Sequence, residues 1–209
     1  MDFYCERLDL SFWSEPVNAL TNLGFILAGL FALTLLNRHK LKLTHLNLLA
    51  YFMIIIGIGS FLFHTFASRW ALFADVLPIY FFQLIFLFSY QKYALNFNTK
   101  QIIFGFVLFI LAVVASKSIP VAMNGSEMYL PTIVALVVFS CLYKLRQGRF
   151  DFALLIASGV FSLSLLLRTI DNAICQDFPL GTHFGWHLLN AIVLFFTWYS
   201  LYLDAKAKA

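Results

Sequence analysis

Long uncharged apolar runs alternate with short polar breaks along the whole chain. Residues 17–36 carry no charge, and about 20 apolar residues suffice for a helix to cross a bilayer. Comparable runs follow at 46–64, 71–90, 101–116, 129–143, 152–167 and 182–203, of which 101–116 is the weakest. The pattern predicts an all-α bundle of seven transmembrane helices. Asn18 and Asn22 share a face of the first span, Gly57 and Gly59 allow close helix approach in the second, and Asp75 lies in the first turns of the third with Pro78 behind it. Asn124-Gly125 marks a turn between the fourth and fifth spans, and 168–181 is polar.

Composition agrees: of 209 residues 62% are hydrophobic and 11% charged, against roughly 25% charged in ordinary soluble domains. The net charge of +4 need not signal nucleic acid, because Lys and Arg in membrane proteins report topology. Ten of the 14 lie in the first, third and fifth loops and the tail, and four (Arg7, Arg69, Lys117, Arg168) on the other side. The positive-inside rule then predicts the N-terminus outside and the C-terminus in the cytoplasm. Residues 1–15 have no basic start followed by an apolar stretch, so no removable signal peptide is expected. The reading is one domain over 1–209, with 1–15 as an external segment and 204–209 as a cytoplasmic tail. No internal repeat is visible.

Polar chemistry is confined to two stretches, Ser60-Phe-Leu-Phe-His64 with Asp75 eleven residues on, and His183-Phe-Gly-Trp-His187. Each i, i+4 pair shares a helix face. With the topology above, His64, Asp75, His183 and His187 all fall near the outer ends of their spans. Ionisable groups in such surroundings are costly and mark function. His64, His183 and His187 have the makings of a catalytic zinc site, which keeps three protein ligands and a water whose pKa falls to about 7. Asp75 would hold that water and move protons, and Ser60 would donate to a developing oxyanion. The plainer alternative is a set of interhelical hydrogen-bonding groups. His39 and His45 fall in the first cytoplasmic loop and are expected to be solvated. A retinal protein is disfavoured because the last span has no Lys before Lys206, and a haem protein because the histidines cluster at one depth.

These three motifs, in this order and with the pair of histidines in the last of seven spans, resemble the alkaline ceramidases. That family belongs to a superfamily of membrane hydrolases that includes adiponectin-type receptors. Tyr4-Cys5-Glu6-Arg7 and Trp13-Ser-Glu15-Pro-Val-Asn18-Ala-Leu-Thr-Asn22 resemble its N-terminal segment and first span. The resemblance implies zinc at His64, His183 and His187, assistance from Ser60 and Asp75, and hydrolysis of a ceramide-type amide to a sphingoid base and a fatty acid. It also implies calcium at the N-terminal segment, where Asp2, Glu6, Asp9 and Glu15 supply the hard oxygens that Ca²⁺ takes. Leu8 stands where the family has Asn, and an acidic surface segment is the competing reading.

Cys5 and Cys175 both fall outside in this topology, with Cys141 within the fifth span, which suggests a Cys5–Cys175 disulfide in an oxidising compartment; two unpaired cysteines are the alternative. Arg168, Asp171, Asn172 and Cys175 would share one face if the sixth helix ran that far. The expected partners are the bilayer and a lipid substrate, with no nucleic acid and no evident protein partner. The competing functions are a receptor or lipid-binding protein with a structural zinc, and a hydrolase of another acyl lipid.

Overall fold

The structure, a computed structural model, describes residues 3–119 and 123–208. Seven helical segments are long and apolar enough to span a membrane, and among the described residues there is no strand. The first span is two helices, α1 (Pro16–Thr21) and α2 (Leu23–Arg38), jogged at Asn22. Pro16 opens α1, where a missing N–H costs nothing. The other spans are α3 (Thr44–Phe66), α4 (Arg69–Ser89), α5 (Thr99–Ser116), α6 (Leu130–Gln147), α7 (Phe152–Ile170) and α8 (His183–Lys208).

Several of these outrun the apolar runs because polar residues at the ends stay helical. Helix α4 continues through a π-helical turn over Tyr90–Ala94. Residues 204–208, expected as a tail, extend α8, and Asp204 is buried where it accepts from the Tyr143 hydroxyl at 3.2 Å and from Lys208. His45 is likewise not a solvated loop residue: it sits in the first turn of α3, half-buried, its ring stacked on Tyr93 at 4.2 Å. His39, at the end of α2, is exposed and meets the Tyr202 hydroxyl at 2.9 Å.

Helix α3 packs along α4, α7 along α8, and α2 against both α3 and α8. Helix α6 leans on α7, and α5 is outermost, with only Ile102 and Ser116 buried. Large apolar side chains such as Phe73, Phe104, Leu111 and Val134 face outward, as lipid contact requires. At the end of the bundle away from the histidine pair, Asp151 caps α7 and accepts from the hydroxyls of Tyr90, at 2.8 Å, and Ser200, closing α4, α7 and α8 over satisfied polar groups.

One close approach sets the site. Pro78 has no N–H to give the carbonyl of Ala74, four residues back in α4. Gly59 of α3 packs against that carbonyl so tightly that a β-carbon there would lie 2.0 Å from the oxygen. The contact brings Ser60, the next residue on α3, to the level of Asp75, the next on α4.

Candidate metal centre

His64 lies in the last turn of α3, while His183 and His187 occupy the first two turns of α8. All three are buried, and one ligand atom from each lies within 4.8 Å of the others. Ring centroids are 4.7 Å apart for His64 and His187, 4.6 Å for His183 and His187, and 5.3 Å for His64 and His183. The sequence-predicted trio does converge.

Each ring is held from behind. The Nδ1 of His64 bonds the carboxylate of Glu15, which can only accept, so the neutral imidazole would carry its proton on Nδ1 and keep the Nε2 lone pair for a metal. The Nδ1 of His187 meets the Thr21 hydroxyl at 3.0 Å. That hydroxyl gives its own proton to the Val17 carbonyl at 2.8 Å, so it accepts from Nδ1–H and again leaves Nε2 free. The Nδ1 of His183 is buried without a hydrogen-bond partner. An orphaned buried nitrogen is expensive, and a metal ion or a water held by one would satisfy it. Two imidazoles fixed in a ligating tautomer, together with one unsatisfied nitrogen, fit a metal ion.

Asp75 is half-buried opposite the histidines, hydrogen-bonded by the Ser60 side chain and within electrostatic reach of His64 and Arg168. Arg168, at the end of α7, donates to the Asn124 carbonyl at 2.7 Å and to Ser126 Oγ at 2.9 Å, its guanidinium over the rings of Tyr129 and Trp186. The face expected to join Arg168 to Cys175 is broken, because α7 gives way to a 3₁₀ turn over Asp171–Ala173. Asp171 is buried there and accepts three backbone N–H groups, from Cys5 at 3.1 Å, Thr182 at 2.6 Å and His183 at 2.9 Å. It fixes the start of α8, and thereby His183. Gly181, at φ +66, leaves room for it: a β-carbon would stand 2.2 Å from its Oδ1.

The N-terminal segment folds over this mouth. Cys5 and Cys175 form the expected disulfide, with Cα atoms 5.2 Å apart, and Cys141 is free. Tyr4 stacks on the His183 ring at 3.5 Å. Of the acids expected to bind calcium, Asp2 lies outside the described residues. Glu6 gives both oxygens to the N–H groups of Val17 and Asn18, at 2.7 and 2.8 Å, and so caps α1. Asp9, fully exposed, accepts from Ser11 N–H at 2.8 Å, the interaction with Ser11 holding its carboxyl below the usual range. Glu15 is 2% exposed and bonds His64 and Arg7. Burial pushes its carboxyl up, but the hydrogen bonds from His64 and Arg7 and the charge of Arg7 outweigh burial and hold it below the ordinary carboxylate range. Among the described residues, the three histidines are the one group that gathers metal-ligating side chains.

Glu15 as a partner of His64, and Arg7, Thr21, Tyr4 and Asp171 as supports, go beyond the sequence reading. The signals were slight: Arg7 is the one base in an acidic segment, and Thr21 follows Asn18 by three residues on the same face.

Below the histidines lies an apolar cavity of about 70 Å³. Phe25, Ile56, Phe82, Phe161 and Trp186 line it, with Asn190 one turn beyond His187 and Ile79 one turn beyond Asp75. A family model described as ceramidase matches residues 4–209. The chain belongs to the ceramidase family. The match spans the N-terminal segment, all seven spans and both histidine-bearing helices of this ceramidase-family chain. Comparison with curated protein sequences gives no match.

Proposed function

We propose that the chain is a zinc-dependent hydrolase of membrane lipid amides of the ceramide type, releasing a sphingoid base and a fatty acid. The observation that carries the reading is the placement of three convergent imidazoles opposite the Ser60–Asp75 pair, at the head of an apolar cavity, in a ceramidase-family chain. His64, His183 and His187 would hold the zinc, which when bound supplies a Lewis acid and a water acidified to about pKa 7.

The chain's own groups account for the rest of amide cleavage. The apolar cavity takes only the few methylenes next to the amide, against Trp186 and Phe25, so that the rest of the hydrocarbon stays in the bilayer and the amide is left at the level of the histidines. A new C–O bond forms from water to the carbonyl carbon, and the C–N bond breaks. Asp75 takes a proton from the attacking water and delivers it to the nitrogen, because an unprotonated amine leaves poorly. Ser60 turns its hydroxyl from Asp75 to the carbonyl oxygen as charge develops there. Glu15 and Thr21 keep two of the imidazoles in their ligating orientation throughout.

The disulfide supports placing this mouth on the non-cytoplasmic side, since such bonds persist in oxidising compartments. Purified protein offered a ceramide, the corresponding fatty ester and a phospholipid tests the substrate class. Release of fatty acid from the amide well above the others is expected. Cleavage of the ester or phospholipid alone would make the protein a hydrolase of another acyl lipid.

A further inference from the structure

Segment 1–15 carries four acids and a single base, Arg7. Arg7 is 5% exposed, deep for a cation in a segment outside the spans. Its guanidinium is shared three ways: Nε bonds the Glu15 carboxylate, Nη1 the Asp9 carbonyl at 3.2 Å, and Nη2 the His64 carbonyl at 2.8 Å. One carboxylate and two main-chain oxygens are the hard donors that a calcium ion would gather. Here they gather around a cation that is part of the chain. A divalent ion sharing Glu15 would sit against a buried like charge, and such juxtapositions are strongly unfavourable. The calcium that the family resemblance implies therefore does not fit these oxygens.

We propose that Arg7 is the resident cation of this segment, making the metal centre independent of calcium, and that it positions His64 through Glu15. Glu15 divides its oxygens, Oε1 to Arg7 and Oε2 to the His64 imidazole, with Asn18 Nδ2 also near Oε2 at 3.3 Å. Arg7 fixes one end of the carboxylate, and its bond to the His64 carbonyl fixes the backbone that carries the ring. The same side chain thus holds His64 from both directions. The planar fork of arginine suits this, and a lysine ammonium would not span all three oxygens. The positioning half of the proposal rests on His64 being a metal ligand; the calcium half does not.

The test uses the full chain in detergent or lipid nanodiscs, with His187→Ala as the control for zinc at the three histidines. Zinc affinity is measured by competition with a chelating dye, and thermal unfolding is recorded in calcium-depleted buffer and with added calcium. The parent is expected to hold no calcium, and added calcium should change neither its unfolding temperature nor its zinc affinity. Arg7→Ala should bind zinc about 10–100-fold more weakly, as losses behind a ligating histidine typically do, and low concentrations of guanidinium should restore part of it. Arg7→Lys, which keeps the charge and guards against a misfolded Ala variant, should fall between the two. Bound calcium in the parent, or stabilisation by added calcium that added magnesium does not reproduce, would overturn the calcium half. Parental zinc affinity in Arg7→Ala would overturn the positioning half. Zinc absent from the parent, or undiminished in His187→Ala, would instead remove the metal-site reading, and the calcium half would still be decided by the response to added calcium.

Discussion

Gly59 lies against the Ala74 carbonyl, so close that a β-carbon would come within 2.0 Å of the oxygen. The space exists because Pro78 leaves that carbonyl without a helical N–H partner, and the approach sets Ser60 beside Asp75. Backbone cannot yield there as a flexible side chain could. Gly59→Ala should therefore push α3 from α4, at an overpacking cost of about 1–3 kcal/mol, and reduce turnover as well. Gly159→Ala, where nothing lies within 4 Å, should leave both unchanged or slightly raise stability. Thermal unfolding of the two variants side by side checks this.

Asp171 satisfies three backbone donors at the start of α8. Asp171→Ala would orphan them, at about 1–3 kcal/mol for each buried group left unpaired. The expected outcome is a lower unfolding temperature together with reduced zinc content, since His183 loses the anchor of its own N–H. Asp171→Asn keeps an acceptor oxygen and should lose less of both. Metal analysis paired with unfolding measures the two effects in one preparation.

The Cys5–Cys175 bridge ties the lead-in to the segment before α8. Its presence and the distribution of basic residues both favour an external N-terminus. Reporter fusions should place the N-terminus outside and the C-terminus in the cytoplasm. In sealed vesicles of known orientation, a reductant confined to the outer face should free both thiols. Reduction only after the membrane is permeabilised would place the mouth on the other side.

The hydropathy pattern carried the fold, because seven apolar runs have one cheap arrangement in lipid. It missed ends such as 91–94 and 204–208, where polar residues continue a helix on the strength of partners such as Tyr143, distant in sequence. The histidine trio was legible from i, i+4 spacing and from the depth that topology gave each span. What stood behind the trio was not. Arg7 meets Glu15 eight residues away but His64 fifty-seven away, and no local pattern distinguishes an acid that orients an imidazole from one that faces calcium or water. Asp171 was noticed for its spacing with Arg168, yet its role comes from a 3₁₀ turn that the apolar period does not reveal.

Asp75 is the half-buried carboxylate across from the histidines. Asp75→Asn keeps shape and hydrogen bonding but removes the exchangeable proton. Turnover should fall by at least about 10²-fold, the lower end of general acid–base assistance, while zinc content stays near that of the parent. Ser60→Ala should also retain zinc and lose roughly 10–10³-fold in rate if its hydroxyl stabilises the oxyanion. Single-turnover fatty-acid release, run beside metal analysis, separates the two roles. Loss of zinc from Asp75→Asn would make the carboxylate a ligand instead of a proton carrier.

The central claim is that His64, His183 and His187 hold the metal on which lipid amide cleavage depends. The most direct measurement is ceramide hydrolysis by the purified protein, as isolated, after metal removal and after zinc is returned, alongside His187→Ala. We expect the metal-free protein to release no fatty acid, stoichiometric zinc to restore release, and His187→Ala to remain inactive with zinc added. Undiminished hydrolysis by the metal-free protein, or zinc-restored hydrolysis by His187→Ala at the parental rate, would contradict the account.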